Sequence, residues 1–517
     1  MISKFTRHHS LLTVMGIALL LMALAACNQH NPAGTLPTLV PTAIAQQTNP
    51  TATRPATPTT TLSTFTPVPI ITDTPGGPSR TPTPAPSRTP TPTRTTTPTL
   101  TPTAAPQFFN PIANFDSSEG VTPATAIPTA VPTFEILPGV TNILLLGSDD
   151  PLGNGISNTD TMIIVSVNRN EGTAAMVSLP RDLYVYIPGW TMNRLNTAML
   201  HGSSVGYPTG PIGQLEDTIL YNFGIPIHYY ARVDFTGFKQ AVDAIGGVEM
   251  AVSCRLEDWR LKSPELDPQV EENWEIFSLE PGIHRMDGDL ALWYARSRRT
   301  TSDFDRGRRQ QQLLRAILNK GVDLDLLPQV PTLYNTFRDS VDTNMDIGRI
   351  LQLASLASTV RQNGVQHLYI VGDQLQPWQV PDSGAAVQLP RWENMEKTFE
   401  RLLTPSLLNQ ANRVPIYVEI INGTTDPDLA ALAADNLAWY GFIPIITPSD
   451  SQNVTTTTIS YFGNNLKGSL DWFVSWIFHQ RDSDIQLMSD TPHDYQYRVI
   501  LGSDYDPCLN QFGAPLP

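Results

Sequence analysis

Short apolar runs punctuated by Gly, Asn and Asp recur from Val140 onward. Ile143–Leu146 ends at Gly147, and Met162–Val167 and Ala174–Leu179 follow. Runs this short, with no helical period, predict buried strands. His228–Val233 predicts another strand leading into a helix over 234–245, with Asp234 as N-cap and Gly246–Gly247 as the stop. Strands alternating with helices predict an α/β layered domain. The alternation restarts near Arg413. Strand Ile416–Ile421, the Asn422–Gly423 turn, helix Asp428–Tyr440 and strand Phe442–Ile446 are followed by a Thr-rich strand, a helix over Trp472–Phe478 and a strand Tyr497–Leu501. That pattern predicts a second, smaller α/β domain of about ninety residues.

Upstream the pattern vanishes. Many of the chain's 46 prolines sit in a Thr/Pro/Ala-rich stretch over 28–135. Such sequence has too few large apolar residues to build a core, and Pro-rich chain extends by about 3.1 Å per residue. It reads as a disordered tether. Ahead of it, Lys4 and Arg7 precede an apolar run, Leu11–Leu24, and then Ala25-Ala26-Cys27. This is the three-part form of an export signal, and a run of about fourteen residues is short for a span that needs roughly 20. Leu24–Cys27 resembles a bacterial lipobox, with Cys27 as the lipidated residue after cleavage; an uncleaved signal anchor is the alternative. Either way the folded part is expected outside the cytoplasmic membrane. The expected division is therefore a lipoprotein signal over 1–27, linker 28–135, a catalytic domain over 136–405 with its core motifs in 140–320, and a C-terminal domain over 413–503.

The net charge of −15 excludes bulk nucleic-acid binding, which needs a surplus of Lys and Arg. Any anion site must be a local reversal of that field. Besides Cys27 the chain has Cys254 and Cys508, two thiols that can pair in an oxidising compartment, although sequence supplies no distance. No CxxC or HExxH motif supports a redox or zinc site.

One segment reverses the charge. Seven of the 33 Lys and Arg residues fall between Arg296 and Arg315, opposed there by Asp303 and Asp305. On a helix over 305–320, at about 100° per residue, Arg306, Arg309, Gln310, Leu313 and Ile317 share one side. Arg308 and Arg315 point the opposite way, toward the solvated face that charge runs commonly occupy. Leu313 and Ile317 must face the core, so Arg306 and Arg309 are aimed inward at the first turn, where unpaired cations are costly. Inward arginines at a helix start call for an anion, either internal Asp partners or a phosphate. Arg296 and Arg298, two apart, share a face if the chain there is extended.

Carboxylates stand nearby in sequence. Asp149 follows the first strand and Asp160 precedes the second, an arrangement suited to Mg²⁺ with its preference for oxygen ligands. Arg181 follows the third strand in Leu179–Leu183, at the same expected sheet edge. A competing G-x-S-x-G pattern, Gly202–Gly206, lacks the preceding strand and following helix of a serine-hydrolase elbow.

Taken together, Leu144–Asp149, Asn158–Met162, Ser178–Asp182, Asn193–Asn196, Val233–Phe238, Ile245–Val248 and Arg296–Gln311 resemble the LytR–CpsA–Psr family. The motifs come in family order over roughly 140–318. Residues 413–503 resemble the small C-terminal domain that often accompanies it. The resemblance implies a layered α-β-α domain with a central mixed sheet, and an Mg²⁺-dependent phosphotransferase, with Mn²⁺ as the substitute metal. The implied partners are a polyprenyl-pyrophosphate-linked glycan as donor, a peptidoglycan hydroxyl as acceptor, and the membrane through the N-terminal lipid or signal anchor.

Carried over by position, Asp149 and Asp160 are the metal ligands. Arg181, Arg194, Arg296, Arg298, Arg306 and Arg309, with Gln310, form the pyrophosphate grip. Asp149, Asp160, Arg181, Arg298 and Asp303 carry the chemistry, with Asp160 or Asp303 as proton acceptor, and the lipid tail lies in an apolar pocket partly lined from 233–248. Asp305 stands where the family commonly has glycine, Arg194 where it commonly has lysine, and the lipobox where it commonly has a membrane span. The rival readings are a polyprenyl-(pyro)phosphate hydrolase and a non-catalytic envelope-binding lipoprotein.

Overall fold

A computed structural model of the chain describes residues 126–148, 159–337, 340–381, 383–405, 416–449, 453–463, 470–488 and 494–509. The leader with Cys27, the linker up to residue 125, and Asp149 lie outside the described residues. The last stretch of the expected linker is packed rather than loose: the Val131 N–H donates to the Tyr221 carbonyl at 2.9 Å, and the Phe134 ring meets Trp392. Strands β1 (Val140–Ser148), β2 (Thr161–Asn168) and β3 (Thr173–Ser178) form an antiparallel meander. The hairpin of β4 (Tyr184–Tyr186) and β5 (Met192–Arg194) and the helices α1 (Ala198–Val205) and α2 (Gly210–Phe223) lead to β6 (Tyr229–Asp234), which pairs parallel with β1. Helix α3 (Phe235–Ala244) begins as expected, with the Asp234 carboxylate accepting from the Gly237 N–H at 2.7 Å. Gly246 and Gly247 end it at φ of 77° and 81°, values open to glycine.

Two small antiparallel ladders follow, one pairing β7 (Val248–Val252) with β10 (Gly282–Met286) and the other pairing β8 (Leu256–Leu261) with β9 (Trp274–Leu279). Next come α4 (Gly288–Arg296), α5 (Asp303–Asp323), α6 (Val330–Phe337), β11 (Val341–Thr343), α7 (Ile347–Ala354), α8 (Ala357–Asn363) and β12 (Val365–Tyr369). A hairpin, β13 (Leu375–Gln379) with β14 (Ala386–Pro390), and α9 (Trp392–Leu403) close this part. The main sheet runs β11-β6-β1-β2-β3-β12 and is mixed, with parallel pairs at β1–β6 and β3–β12.

The strand runs look uninterrupted in sequence because both faces of the sheet are buried. Leu144, Leu146, Met162, Ile164, Ala175 and Val177 face α1, α2 and α9. Their neighbours Ile143, Ile163, Val165, Val167, Ala174 and Met176 face the other way, onto α6, α7, α8 and Leu318 of α5. The register matches these faces: Leu144 pairs with Ile164 and Ile164 with Val177. Helix, sheet and helix thus make three layers. Phe223 and Phe399 are fully buried with centroids 5.5 Å apart, and truncating either to Ala would cost about 3–5 kcal/mol. The G-x-S-x-G residues lie on α1 and its left-handed cap Gly206, inside a helix rather than at a strand-to-helix turn. Gly202–Gly206 is not a nucleophile elbow.

The C-terminal sheet is built from β15 (Tyr417–Asn422), β16 (Ile443–Thr447), β17 (Thr458–Tyr461), β18 (Gln486–Leu487) and β19 (Tyr497–Leu501), in the order β16-β15-β19-β17-β18. Helices α10 (Leu429–Trp439) and α11 (Asp471–Ile477) pack on it through Leu437, Phe473 and Phe478 among others. Cys254 and Cys508 form a disulfide, Cα atoms 4.5 Å apart, that ties the end of this unit to the segment after β7. Among the described residues no helix is long and apolar enough to cross a membrane.

Candidate active site

Three strand ends meet at one edge of the main sheet. Asp160 stands just before β2, Ser178 ends β3 beside Ile163, and Tyr369 ends β12 beside Ser178. The Leu179 N–H donates to the Met162 carbonyl at 2.9 Å, so the Pro180-Arg181 turn leaves the sheet next to Asp160. Helix α5 starts over this edge. Ser302 and Asp305 form a capping box: the Ser302 hydroxyl accepts from the Asp305 N–H, and the Asp305 carboxylate accepts from the Ser302 N–H at 2.9 Å. The helix therefore begins two residues earlier than its apolar periodicity suggests, and Asp303 and Arg306 fall on one face three apart. Gly307 allows the close approach, because a Cβ there would lie 3.3 Å from the Ser178 Cβ.

Four guanidinium groups and three carboxylates interlock here. Arg181 Nη1 donates to Asp160 Oδ2 at 2.8 Å, and its Nε is 3.4 Å from Asp182 and 3.9 Å from Asp303. Arg194, the last residue of β5, reaches Asp182 at 3.4 Å. Asp303 Oδ1 has Arg306 at 2.9 Å and Arg298 at 3.5 Å. Three arginines thus converge on one carboxylate oxygen, and the network keeps an excess positive charge in a chain of net −15. The aligned hydrogen bond from Arg306 goes to the other oxygen, Asp303 Oδ2, at 3.2 Å, so Oδ1 is held by charge alone. Arg306, with only 7% of its side chain exposed, also donates to the Asp160 carbonyl at 3.2 Å.

The fields show in the proton affinities. Burial pulls Arg306 below its ordinary value; Asp303 opposes this, and neighbouring Arg181 and Arg298 add to it. Burial also works against the charge on Arg181, but the hydrogen bond and charge of Asp160, then Asp182 and Asp303, outweigh it and hold that guanidinium above its ordinary value. Beside this network a small, partly open cleft runs between sheet edge and helix. Its lining combines polar Asp160, Asp303, Arg306, Gln310 and Tyr369 with apolar Met162, Leu179, Phe304, Ile370 and Val371.

Other expected members are placed differently. Arg309 points inward, but it spends its donors on the chain itself: Nε to the Tyr294 carbonyl at 2.9 Å, Nη2 to the Ser297 carbonyl and Nη1 to the Thr301 hydroxyl at 3.1 Å. It pins the turn that carries Arg298. Gln310 donates to the Thr161 hydroxyl at 2.9 Å and to the Ala295 carbonyl at 3.2 Å, with one edge on the cleft. Arg296 does not share an extended face with Arg298, because it is the last helical residue of α4 and the chain becomes extended only at Ser297. Its guanidinium lies 4.2 Å from the centre of the Phe235 ring.

The 233–248 segment contributes nothing to this cleft. Val233, Ala241, Val242, Ile245 and Val248 pack instead into the core with α4 and α5. Arg308 and Arg315, expected on a solvated face, are covered by the C-terminal unit: both lie 5.0 Å from the centre of the Trp439 ring, and Arg315 pairs with Asp435. Sequence reasoning missed Asp182, Phe304 and Tyr369 as site residues, although Asp182 follows Arg181 directly.

Oxygen donors for a hard divalent cation are present but thin among the described residues, where no group of three or more His, Cys, Asp or Glu side chains comes together. Asp160 is half exposed, and Arg181 occupies one of its carboxylate oxygens; the other receives no hydrogen bond from a described residue. That second oxygen fits a metal ligand, one short of a pair.

Residues 129–402 match the sequence profile of the LytR_cpsA_psr family. The chain is 32% identical over 231 residues to the polyisoprenyl-teichoic acid–peptidoglycan teichoic acid transferase TagU of Oceanobacillus iheyensis, a stretch covering 43% of this chain and 64% of that protein. With the transferase TagT of Bacillus subtilis it shares 28% identity over 241 residues, 46% of this chain and 69% of the relative. The crystal structure of B. subtilis TagV aligns over 53% of this chain and 98% of its own, at 24% identity and a TM-score of 0.42.

Proposed function

Because the chain belongs to the LytR_cpsA_psr family, we propose that it is an extracytoplasmic phosphotransferase that moves a glycopolymer phosphate from a polyprenyl-pyrophosphate carrier to a peptidoglycan hydroxyl. The observation that supports this most is Asp303 Oδ1, a single anionic oxygen with three guanidinium groups within 3.9 Å. A phosphate oxygen would meet the same three groups, and the planar guanidinium fork suits phosphate better than an ammonium does. The apolar residues in the cleft lining suit the first isoprene units. Two relatives are named as teichoic acid transferases, which fits this substrate class.

In this reading Arg181, Arg298 and Arg306 hold the pyrophosphate oxygens, and Arg194 supports Arg181 through their shared partner Asp182. The wall hydroxyl attacks the phosphorus that bears the glycan, a P–O bond forms, and the P–O bond to the lipid phosphate breaks. Asp160 or Asp303 takes the hydroxyl proton, and the lipid phosphate leaves with its charge against the arginines. Such reactions depend mainly on placement and charge neutralisation. Asp160, with Asp149 as partner, would hold Mg²⁺, which would supply charge neutralisation at the phosphate oxygens. Lipidated Cys27, or the uncleaved signal, would hold the chain at the outer face of the membrane, with the linker giving it reach.

Product analysis with and without wall fragments tests the reading. A glycan joined covalently to the wall through phosphate, formed only when fragments are present, is the expected product. Release of glycan phosphate to water at the same rate in both would replace the transferase with a hydrolase.

A further inference from the structure

Besides the β2–β3 edge, the cleft is lined by two elements, and the C-terminal unit touches both. One is the first turns of α5, where Arg306, Gly307 and Gln310 line the cleft. The other is the end of β12, where Tyr369 begins the lining. Two residues back on the same face of β12, His367 stacks on the Trp439 ring, centroids 3.7 Å apart and planes 14° from parallel. Behind α5, Arg308 and Arg315 lie over the same indole, each 5.0 Å from its centre. Tyr369 itself is 6.1 Å from Trp439, ring centre to ring centre.

Supporting bonds surround this contact. Asp435 pairs with Arg315, and Asn436 accepts from Arg308 at 3.3 Å while donating to the Pro507 carbonyl at 2.9 Å. Cys508, the residue after Pro507, is joined to Cys254, so the same corner is also tied covalently to the first domain. Gln311 closes the seam between the two elements, donating to Ser178 Oγ at 2.9 Å and the Leu368 carbonyl at 3.2 Å, and meeting His367 Nδ1 at 3.0 Å.

We propose that Trp439 is a positioning residue for the cleft: its indole sets the spacing between the arginine-bearing turn of α5 and the end of β12 from outside the site. Trp439 lies at the end of α10 and is buried, so its fixed ring offers stacking and cation–π contacts to three side chains at once. It is not itself part of the cleft lining. A shift of the α5 turn by a fraction of an ångström would unmake the convergence on Asp303, because groups that act together in one geometry tolerate little misplacement. The catalytic consequence rests on the function proposed above, whereas the structural one does not.

Amide hydrogen exchange on the full chain tests the inference without substrate. In Trp439→Ala, peptides covering 303–311 and 365–371 should exchange at least tenfold faster, while β1 and β2 keep wild-type protection. Trp439→Phe, which keeps a ring, should recover most of the difference. In transfer assays Trp439→Ala should lower kcat about tenfold with little change in the KM for wall acceptor. If Trp439→Ala does not fold, Arg315→Met takes its place and should speed exchange in 303–311 alone. Unchanged exchange in both segments, or no rescue by Phe, overturns the inference. Absence of transfer by wild-type protein would count against the proposed function and leave the exchange result to decide this one.

Discussion

Asp303 Oδ1 lies 2.9 Å from Arg306 Nη2, one helical turn away, in the place where a phosphate oxygen would be held. The carboxylate therefore competes with any anion that enters. Asp303→Asn keeps the shape and removes the competing charge. Affinity for inorganic pyrophosphate, measured by calorimetry, should rise about tenfold, or about 1.4 kcal/mol. Weaker binding by the variant would mean that Asp303 organises the arginines more than it occupies them.

Arg298 and Arg309 should separate activity from stability. Arg298 is partly exposed and pairs with Asp303, which lines the cleft, so Arg298→Ala should cut transfer by about 10³–10⁵ with little change in Tm. Arg309 serves backbone carbonyls, and Arg309→Ala leaves them unpaired in a buried turn, at a cost of about 1–3 kcal/mol read as a lower Tm. Paired thermal melts and transfer assays check both.

The His367 ring is partly buried, and desolvation first, then the Arg315 and Arg308 charges, lower its pKa well below 6.5. Its Nδ1 faces Gln311 Oε1, whose amide nitrogen already donates to Ser178 and Leu368, so the neutral ring is the donor. A base whose folded pKa is depressed contributes stability above the unfolded value and loses it as pH falls. Tm should fall as pH drops below about 6.5, and His367→Asn should shrink that fall. His201 and His228, also depressed by burial, add to it with the same sign.

Opening the Cys254–Cys508 disulfide should cost about 2–5 kcal/mol, because it closes a loop spanning 254 residues of sequence. Cys254→Ser in denaturant melts checks this, with the C-terminal sheet expected to release first. An unchanged midpoint would show that the Trp439 contacts suffice.

Much of the fold was legible because the strands are buried on both faces and bounded by turn residues; β1, β2, β3 and α3 fall within a few residues of their expected limits. The inward aim of Arg306 was legible too, since Leu313 and Ile317 fix which side of α5 meets the core. The helix start was readable and missed: Ser302 and Asp305 have capping-box spacing, and reading it would have put Asp303 in the first turn facing Arg306. Arg308 and Arg315 were not legible, because the surface that buries them comes from Asp435 and Trp439, more than a hundred residues later. Nor was the commitment of Arg309, whose carbonyl partners depend on how the chain turns between Tyr294 and Thr301.

Equilibrium binding of a short polyprenyl pyrophosphate to the full chain tests the central claim most directly. The wild-type protein should bind it at least tenfold more tightly than the matching monophosphate, and Arg306→Ala should abolish that preference. Equal affinity for pyrophosphate, monophosphate and free alcohol, unchanged in Arg306→Ala, would contradict the account.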